Sequence, residues 1–551
     1  MSEQILQELT ASVSATALMA HCQEFARWVK LSGSAAELES FRYLQVRLDE
    51  WGFRTRLISH DAYISLPLDA RVDVDGTRLR AITHSHSQAS PKAGITGPIA
   101  YLGEGRAADF AGRDLRGAIV LVEGIASPAV ATLARQAGAV GQLHISPHHH
   151  LHEMCISPVW GSPSPETLGN LPSTVACTIS NADGSALRDT LAGGAKPTVT
   201  LHANVDTSWR KTPILEAQLD APDGDGSHVL FSGHHDTWYY GVMDNGSANA
   251  TMLEVARLLS ARRGDLKRAL RICFWSGHSH GRYSGSAWYV DNHFEELDRD
   301  CAIHVNIDST GGIGATILAD AAAMGSLRGL AASAIKAETG HGYNNKRKNR
   351  SSDESLVNMG VPSMFGALSE QPPGPAKMRN ALGWWWHTPE DLLDKIDPDF
   401  LVRDTKVFVH TLWRCLTEAL LPLDHTAVID DLLIELTKFS GVEALIASAE
   451  TLRDKLVRLA GSNDPAGANA AMMVVSRALV PMDYADGERF VHDAALPVPA
   501  WAVLGPLRTL AAAAPGSPEA HFAEVAATRA RNKLAAALTH AHDALDVALG
   551  V

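Results

Sequence analysis

The 551-residue sequence predicts an α/β protein, a mixed central sheet with covering helices, enlarged by a β-rich insert and a C-terminal helical domain. Three observations predict it. The runs HVLFSG, LRICFW and AIHVNID are short and mostly apolar, the texture of strands buried in a central sheet, and helical periodicity alternates with them. Between about 71 and 205 the texture changes to short strands and glycine turns. Beyond about 426, leucines recur at helical spacing. At a prior of roughly 150 residues per domain, the chain is too long for one compact core.

Taken in order, residues 1–70 open with helical periodicity. In ESFRYLQVRLDEWGF, Phe41, Leu44, Leu48 and Trp51 share a face, and Gly52 ends the helix. The insert, 71–205, reads as TGPIAYLG, DLRGAIVLVEG, the helix-like PAVATLARQAGAVG, and LPSTVACTIS. Residues 206–425 join 1–70 in one α/β domain, where SANATMLEVARLLSARR sets Met252, Val255, Ala256 and Leu259 on one helical face. Residues 426–551 carry Leu445, Leu452, Leu456 and Leu459 and an alanine-rich run after Pro518, the pattern of a helical domain. The chain shows no repeat and no low-complexity segment.

The composition, 46% hydrophobic and 20% charged, is that of a globular protein, and the net charge of -14 argues against nucleic acid or an anionic membrane as partner. Small molecules or short peptides are the expected substrates. MSEQILQELTASVSATALMAHCQEF has neither a basic segment leading into an apolar run nor a stretch long enough to span a bilayer, so a cytoplasmic location is expected. Six cysteines (Cys22, Cys155, Cys177, Cys273, Cys301 and Cys415) follow no paired spacing, and buried reduced thiols are expected.

Residues with metal-binding chemistry gather where strands end. In GHHDTWYYGVMDNGSANATMLEVAR, His234 and Asp236 follow a strand and Asp244 lies in a turn entering a helix; Asp308 ends AIHVNID, and His387 stands in WWWHTPEDLLDKID. In open α/β sheets that edge is where active sites form, and an imidazole with carboxylates suits a borderline ion such as zinc. A single His-x-Asp carries little weight, because such pairs often only hydrogen-bond a loop. The joint order of His234, Asp244, Asp308 and His387 gives the signal.

With these residues in place, the chain resembles the family-28 metallopeptidases, co-catalytic zinc aminopeptidases, in the subgroup of glutamate carboxypeptidase II and the transferrin receptor. The resemblance extends to RYLQVRLDEWGF, to a protease-associated insert at 71–205, and to LVPMDYADGERFVHD, similar to that subgroup's dimerisation domain. It implies that His234 and Asp308 bind a first metal, that Asp244 bridges two metals, that His387 belongs to the second, and that Asp236 orients His234. It also implies a homodimer. The family has two consecutive glutamates, a general base and a ligand of the second metal, where this chain has His278-Ser279; the following RYSGS is one residue longer than usual.

By this count one tight metal site is expected, zinc in kind, with the second weak or absent unless His278 or His280 completes it. Three roles stay open to His278: proton acceptor at its reference pKa of about 6.5, metal ligand, or a hydrogen-bonding wall residue. Tyr283, Arg350 and Trp386 are the expected substrate-side residues: Arg350 from the basic stretch Lys346, Arg347, Lys348 and Arg350, Trp386 from the tryptophan triplet beside His387. The histidine-rich stretch 144–152 is expected to form part of the cleft wall. The resulting expectation is a metal-dependent hydrolase of an amide or peptide-like bond in a small molecule, with metal-bound water as nucleophile and His278 as proton acceptor. Two alternatives stand beside it: a one-metal enzyme of non-peptidase chemistry, and a non-catalytic binding or assembly protein of transferrin receptor-like architecture.

Overall fold

The apolar runs become strands, and their burial fixes where the chemistry sits. The structure is a computed structural model, which describes residues 2–374 and 381–551. In chain order the strands are β1 (Arg54–Val74), β2 (Thr77–Thr83), β3 (Ile95–Gly97), β4 (Ile99–Tyr101), β5 (Ile119–Glu123), β6 (Gly141–Ile145), β7 (Val175–Ile179), β8 (Val199–Leu219), β9 (His228–His234), β10 (Ala269–Trp275), β11 (Cys301–Asp308) and β12 (Ser363–Ala367). They form one sheet in the order β12-β11-β9-β10-β8-β1-β2-β7-β6-β5-β4, with β3 on β8. β9, β10, β11 and β12 are parallel neighbours, β8 runs antiparallel to β10, and β4 to β7 are parallel again, so the sheet is mixed.

β9 is buried along its whole length, and β10 and β11 almost so. Helices cover both faces. Helix Ala248–Ser260 packs against β9 and against helices Ala15–Phe25 and Pro398–Thr417. It is therefore buried nearly all round, Thr251 and Glu254 included, rather than on the single face that its periodicity suggests. Helix Ala35–Glu50 starts on Ser34, whose hydroxyl accepts the Glu37 N–H, and buries Phe41, Leu44 and Leu48; Gly52 follows it at φ 80°. Each such fully buried apolar side chain contributes roughly 1.5–3 kcal/mol relative to an exposed one.

The expected boundaries at 70/71 and 205/206 fall inside β1 and β8, two antiparallel strands of 21 residues each that run through both units. The chain passes into the insert along these strands and not through linkers. The insert keeps apolar clusters of its own, one built on Ile119, Leu121, Leu143 and Val175. The C-terminal helices behave differently: Leu445, Leu452, Leu456 and Leu459 share one continuous core with the α/β unit. All six cysteines are buried and free. No helix among the described residues is long and apolar enough to cross a membrane.

Candidate active site

β9 lies between β10 and β11, so the chain leaves its carboxyl end in one direction and returns on the other side, opening a crevice there. His234 is the last residue of β9 and Asp308 the last of β11. Asp244 sits in the distorted turn Val242–Ser247 that feeds helix Ala248–Ser260, and its backbone N–H is held by the Asp391 carboxylate at 3.0 Å. His234 Nε2 lies 3.0 Å from Asp244 Oδ1 and 3.7 Å from Asp308 Oδ1, and His387 Nε2 lies 3.0 Å from Asp244 Oδ2. Asp244 thus faces two imidazoles with its two oxygens, the arrangement a bridging carboxylate needs.

The donor set fits a divalent ion. His234 Nε2 and Asp244 Oδ1 are buried and close, yet neither has an aligned hydrogen-bond partner among the described residues. Burial alone disfavours charge on His234, but Asp244 and Asp308 outweigh it and hold the imidazole well above its ordinary pKa. Burial also works against ionised Asp244, and the His234 and His387 imidazoles prevail, holding it well below the usual carboxylate range. A cation answers the same field. Ligand atoms of His234, His278 and Asp308 lie within 4.8 Å of one another.

His278 opens a short helix, His278–Gly281, directly after β10. Gly277 before it has φ 78°, and a Cβ there would meet the Ser284 hydroxyl, so the tight turn requires glycine. The His278 ring stacks on that of His234, with centroids 3.7 Å apart and planes 12° apart, and its Nδ1 lies 2.9 Å from Asp353 Oδ2. After this helix, Arg282 and Tyr283 are both left-handed, at φ 45° and 68°. That kink brings the edge of the Tyr283 ring to the His278 ring, 4.9 Å between centroids. Ser279 is buried, and its hydroxyl has no hydrogen-bond partner among the described residues.

Asp236 departs from its expected role. Its carboxylate does not orient His234, whose Nδ1 instead donates to the Asp236 backbone carbonyl at 2.9 Å. It accepts the N–H groups of His278 and Ser279, at 3.1 and 2.9 Å, and the Ser32 hydroxyl at 2.8 Å. The first turn of a helix leaves such N–H groups without intrahelical partners, and a buried carboxylate is a strong acceptor for them. Asp236 therefore anchors the segment that carries His278.

Residues 216–412 match the model of peptidase family M28. The central domain of this chain belongs to that family. A probable glutamate carboxypeptidase of Zea mays is 30% identical over 98 residues, 17% of this chain and 13% of that protein. A probable leucine aminopeptidase 2 of Aspergillus fumigatus is 26% identical over 286 residues, 51% of this chain and 54% of that protein. The chain thus spans about half or less of these two relatives. Among solved structures, the aminopeptidase from Aneurinibacillus sp. strain AM-1 superposes with a TM-score of 0.57 at 21% identity, covering 75% of this chain and 96% of that one. A peptidase M28 precursor from Shewanella amazonensis SB2B gives 0.59 at 18%, covering 75% and 95%. These likenesses show the fold.

The M28 domain shares its cleft with the insert. A cavity of about 520 Å³ is lined by Asp244, His278, Ser279, Tyr283, Asp308, Trp386 and His387, together with Met154 and Cys155 of the insert. His387, left-handed at φ 59°, is held by Glu153: its Nδ1 bonds to the Glu153 carbonyl at 2.6 Å, and its carbonyl accepts the Glu153 N–H at 3.1 Å. Burial pushes the Glu153 carboxyl up to about 7, opposed by the Tyr239 hydroxyl that donates to it. The histidine stretch divides. His150 stacks on Trp384 and His152 bonds to the Trp386 carbonyl, while His144 is buried within the insert, and the cavity lining from this part of the insert is Met154 and Cys155.

The tryptophans divide too. Trp386 stacks on His387 at 3.5 Å between centroids, Trp385 is buried in the core, and Trp384 is exposed beside the histidines. Of the basic stretch, Lys346 and Lys348 line the cavity and Arg350 does not. Arg350 lies over the Trp160 ring, 4.9 Å from its centroid, and faces Asp493 at 3.6 Å, so the expectation of a substrate contact is corrected. The aromatic face and the carboxylate draw the guanidinium behind the cavity wall. Sequence reading missed Asp353 and Asp391, and took Glu153 only as part of the histidine-rich stretch of the insert. Asp353 stands three residues after Arg350 and Asp391 four residues after His387, and in each case proximity to a named residue was the only signal.

Proposed function

We propose that this chain hydrolyses an amide or peptide-like bond in a small molecule or short peptide, with a divalent ion held by His234, Asp244 and Asp308 and with His278 as proton acceptor. The approach of His234 Nε2 to Asp244 Oδ1 at 3.0 Å and to Asp308 Oδ1 at 3.7 Å, at a cavity that His278 also lines, carries this reading. When bound, an ion of zinc's kind supplies Lewis acidity to the scissile carbonyl and makes water a nucleophile near neutral pH. His278 takes up the proton that water gives up, its ring held flat on His234. Tyr283 and Trp386 line the cavity that receives the substrate. The second position has Asp244 and His387 but Ser279 where a carboxylate would complete it, which supports one tight ion and a weak second.

Removal of the ion with a chelator should abolish hydrolysis of aminoacyl 4-nitroanilides or short peptides, and zinc should restore it. Hydrolysis that survives verified metal removal would end this reading. We also propose a cytoplasmic homodimer: free buried thiols suit a reducing compartment, and Phe522 and Val525 stand exposed on the last helix, Pro518–Leu549. Light scattering of the intact chain should give the dimer mass.

A further inference from the structure

Loss of the family's glutamate pair leaves the site without its usual carboxylate base, and the structure supplies a carboxylate from elsewhere. Asp353 is fully buried, 75 positions from His278 in sequence, with Oδ2 2.9 Å from His278 Nδ1. Its Oδ1 accepts the Ser286 hydroxyl at 2.7 Å. Ser286 Oγ lies 2.8 Å from Ser355 Oγ, which lies 2.8 Å from Trp160 Nε1.

The direction of this chain of hydrogen bonds is forced. An indole N–H only donates and a carboxylate only accepts, while each serine has one hydrogen to give. Trp160 therefore donates to Ser355, Ser355 to Ser286, and Ser286 to Asp353. The Tyr283 carbonyl also lies within reach of Ser286, at 3.2 Å, but the carboxylate is nearer and is the stronger acceptor. Asp353 then has Oδ1 filled, and the partner Oδ2 requires at Nδ1 of His278 is a hydrogen.

We infer that Asp353 is the positioning residue of this site: it fixes His278 in the tautomer that carries its proton on Nδ1 and leaves the Nε2 lone pair free to accept a proton from the nucleophile. The inference rests on the proposed role of His278. The two rings against His278, that of His234 flat and that of Tyr283 edge-on, restrict its rotation, so the hydrogen bond selects the tautomer of a ring already placed. A histidine oriented by a buried carboxylate divides the work of a base between two residues. Trp160 places the far end of the chain in the insert, which thereby takes part in holding the base.

The test uses the full chain and the Asp353→Asn and His278→Gln variants. The wild type should show a far-downfield imidazole N–H proton resonance that is missing in His278→Gln. In Asp353→Asn that resonance should disappear or move upfield, while zinc content and thermal unfolding stay as in the wild type. On whichever 4-nitroanilide the wild type cleaves, kcat should fall about 100-fold or more, with KM changed less than about threefold. An unmoved resonance, or zinc content falling in step with kcat, would overturn the inference. Should Asp353→Asn fail to fold, Ser286→Ala takes its place: a shifted resonance with kcat lowered about three- to tenfold supports it, and no change in either overturns it. If the wild type cleaves nothing, the proposed function falls, and the resonance still decides the role of Asp353.

Discussion

His234 and Asp308 are the last residues of β9 and β11, whereas His278 opens a four-residue helix and His387 stands in a loop, and different physics holds the two halves of the site. The strand-end pair is placed by the sheet itself: His234 pairs with Trp275 of β10 and Asp308 with Ala367 of β12, which fixes both residues at one edge. The other pair depends on partners distant in sequence. His278 leans on Asp236 and Asp353, and His387 on Glu153 in the insert. Left-handed backbone occurs in both halves: at Arg282, Tyr283, Ser352 and His387, which line the cavity, and at Ser309 beside Asp308 and Phe365 within β12. A sheet edge positions ligands cheaply and generally. A loop residue needs dedicated partners.

Replacing a residue from each half should separate them. His234→Ala should strip the tight ion and reduce hydrolysis to background, read by metal analysis alongside activity. His278→Ala should lower kcat by about 10²- to 10⁴-fold with the ion still bound. Metal lost in His278→Ala would move that residue into the ligand set and break the division between the halves.

A smaller effect should follow from Ser279→Glu, which returns a carboxylate beside Asp244 and His387. Calorimetric titration with zinc should show second-ion affinity raised roughly tenfold or more. An unchanged affinity would mean that the loop backbone, and not the missing carboxylate, sets the weakness of that position.

The smallest effect lies outside both halves. His425 is buried, its Nε2 2.8 Å from Ser476 Oγ, and burial pushes its pKa down to about 4. The folded chain refuses a proton that the unfolded chain accepts, so stability is full above about pH 6.5 and falls as the pH drops toward 4. His425→Gln should flatten that decline by about 3 kcal/mol or less in denaturant titrations at the two pH values. An equal decline in both proteins would assign acid sensitivity to other buried imidazoles.

Much of this was legible in the sequence for a physical reason. A strand buried in a central sheet must be apolar over its length, so HVLFSG, LRICFW and AIHVNID announced themselves, and the polar residues at their ends drew weight from occurring together. The helix Ala35–Glu50 declared its face and its stop in the same way. β1 and β8 were not legible, because long strands half exposed along a ribbon carry polar residues at many positions and resemble loops. Arg350 was misread because a guanidinium's partner, here Trp160 and Asp493, is chosen by space and not by spacing.

The sequence by itself determined the α/β class and the gathering of His and Asp after the apolar runs, since both are written in residue type and local periodicity; that His278-Ser279 stands in place of two glutamates was legible only against the pattern of the family the chain resembles. Only the tertiary structure decided that Asp236 anchors the His278 segment, that Asp353 reaches His278 across 75 positions, and that Glu153 of the insert holds His387. Hydrogen bonds of 3 Å between residues far apart in the chain depend on how sheet, insert and loops pack, and no local pattern encodes that distance.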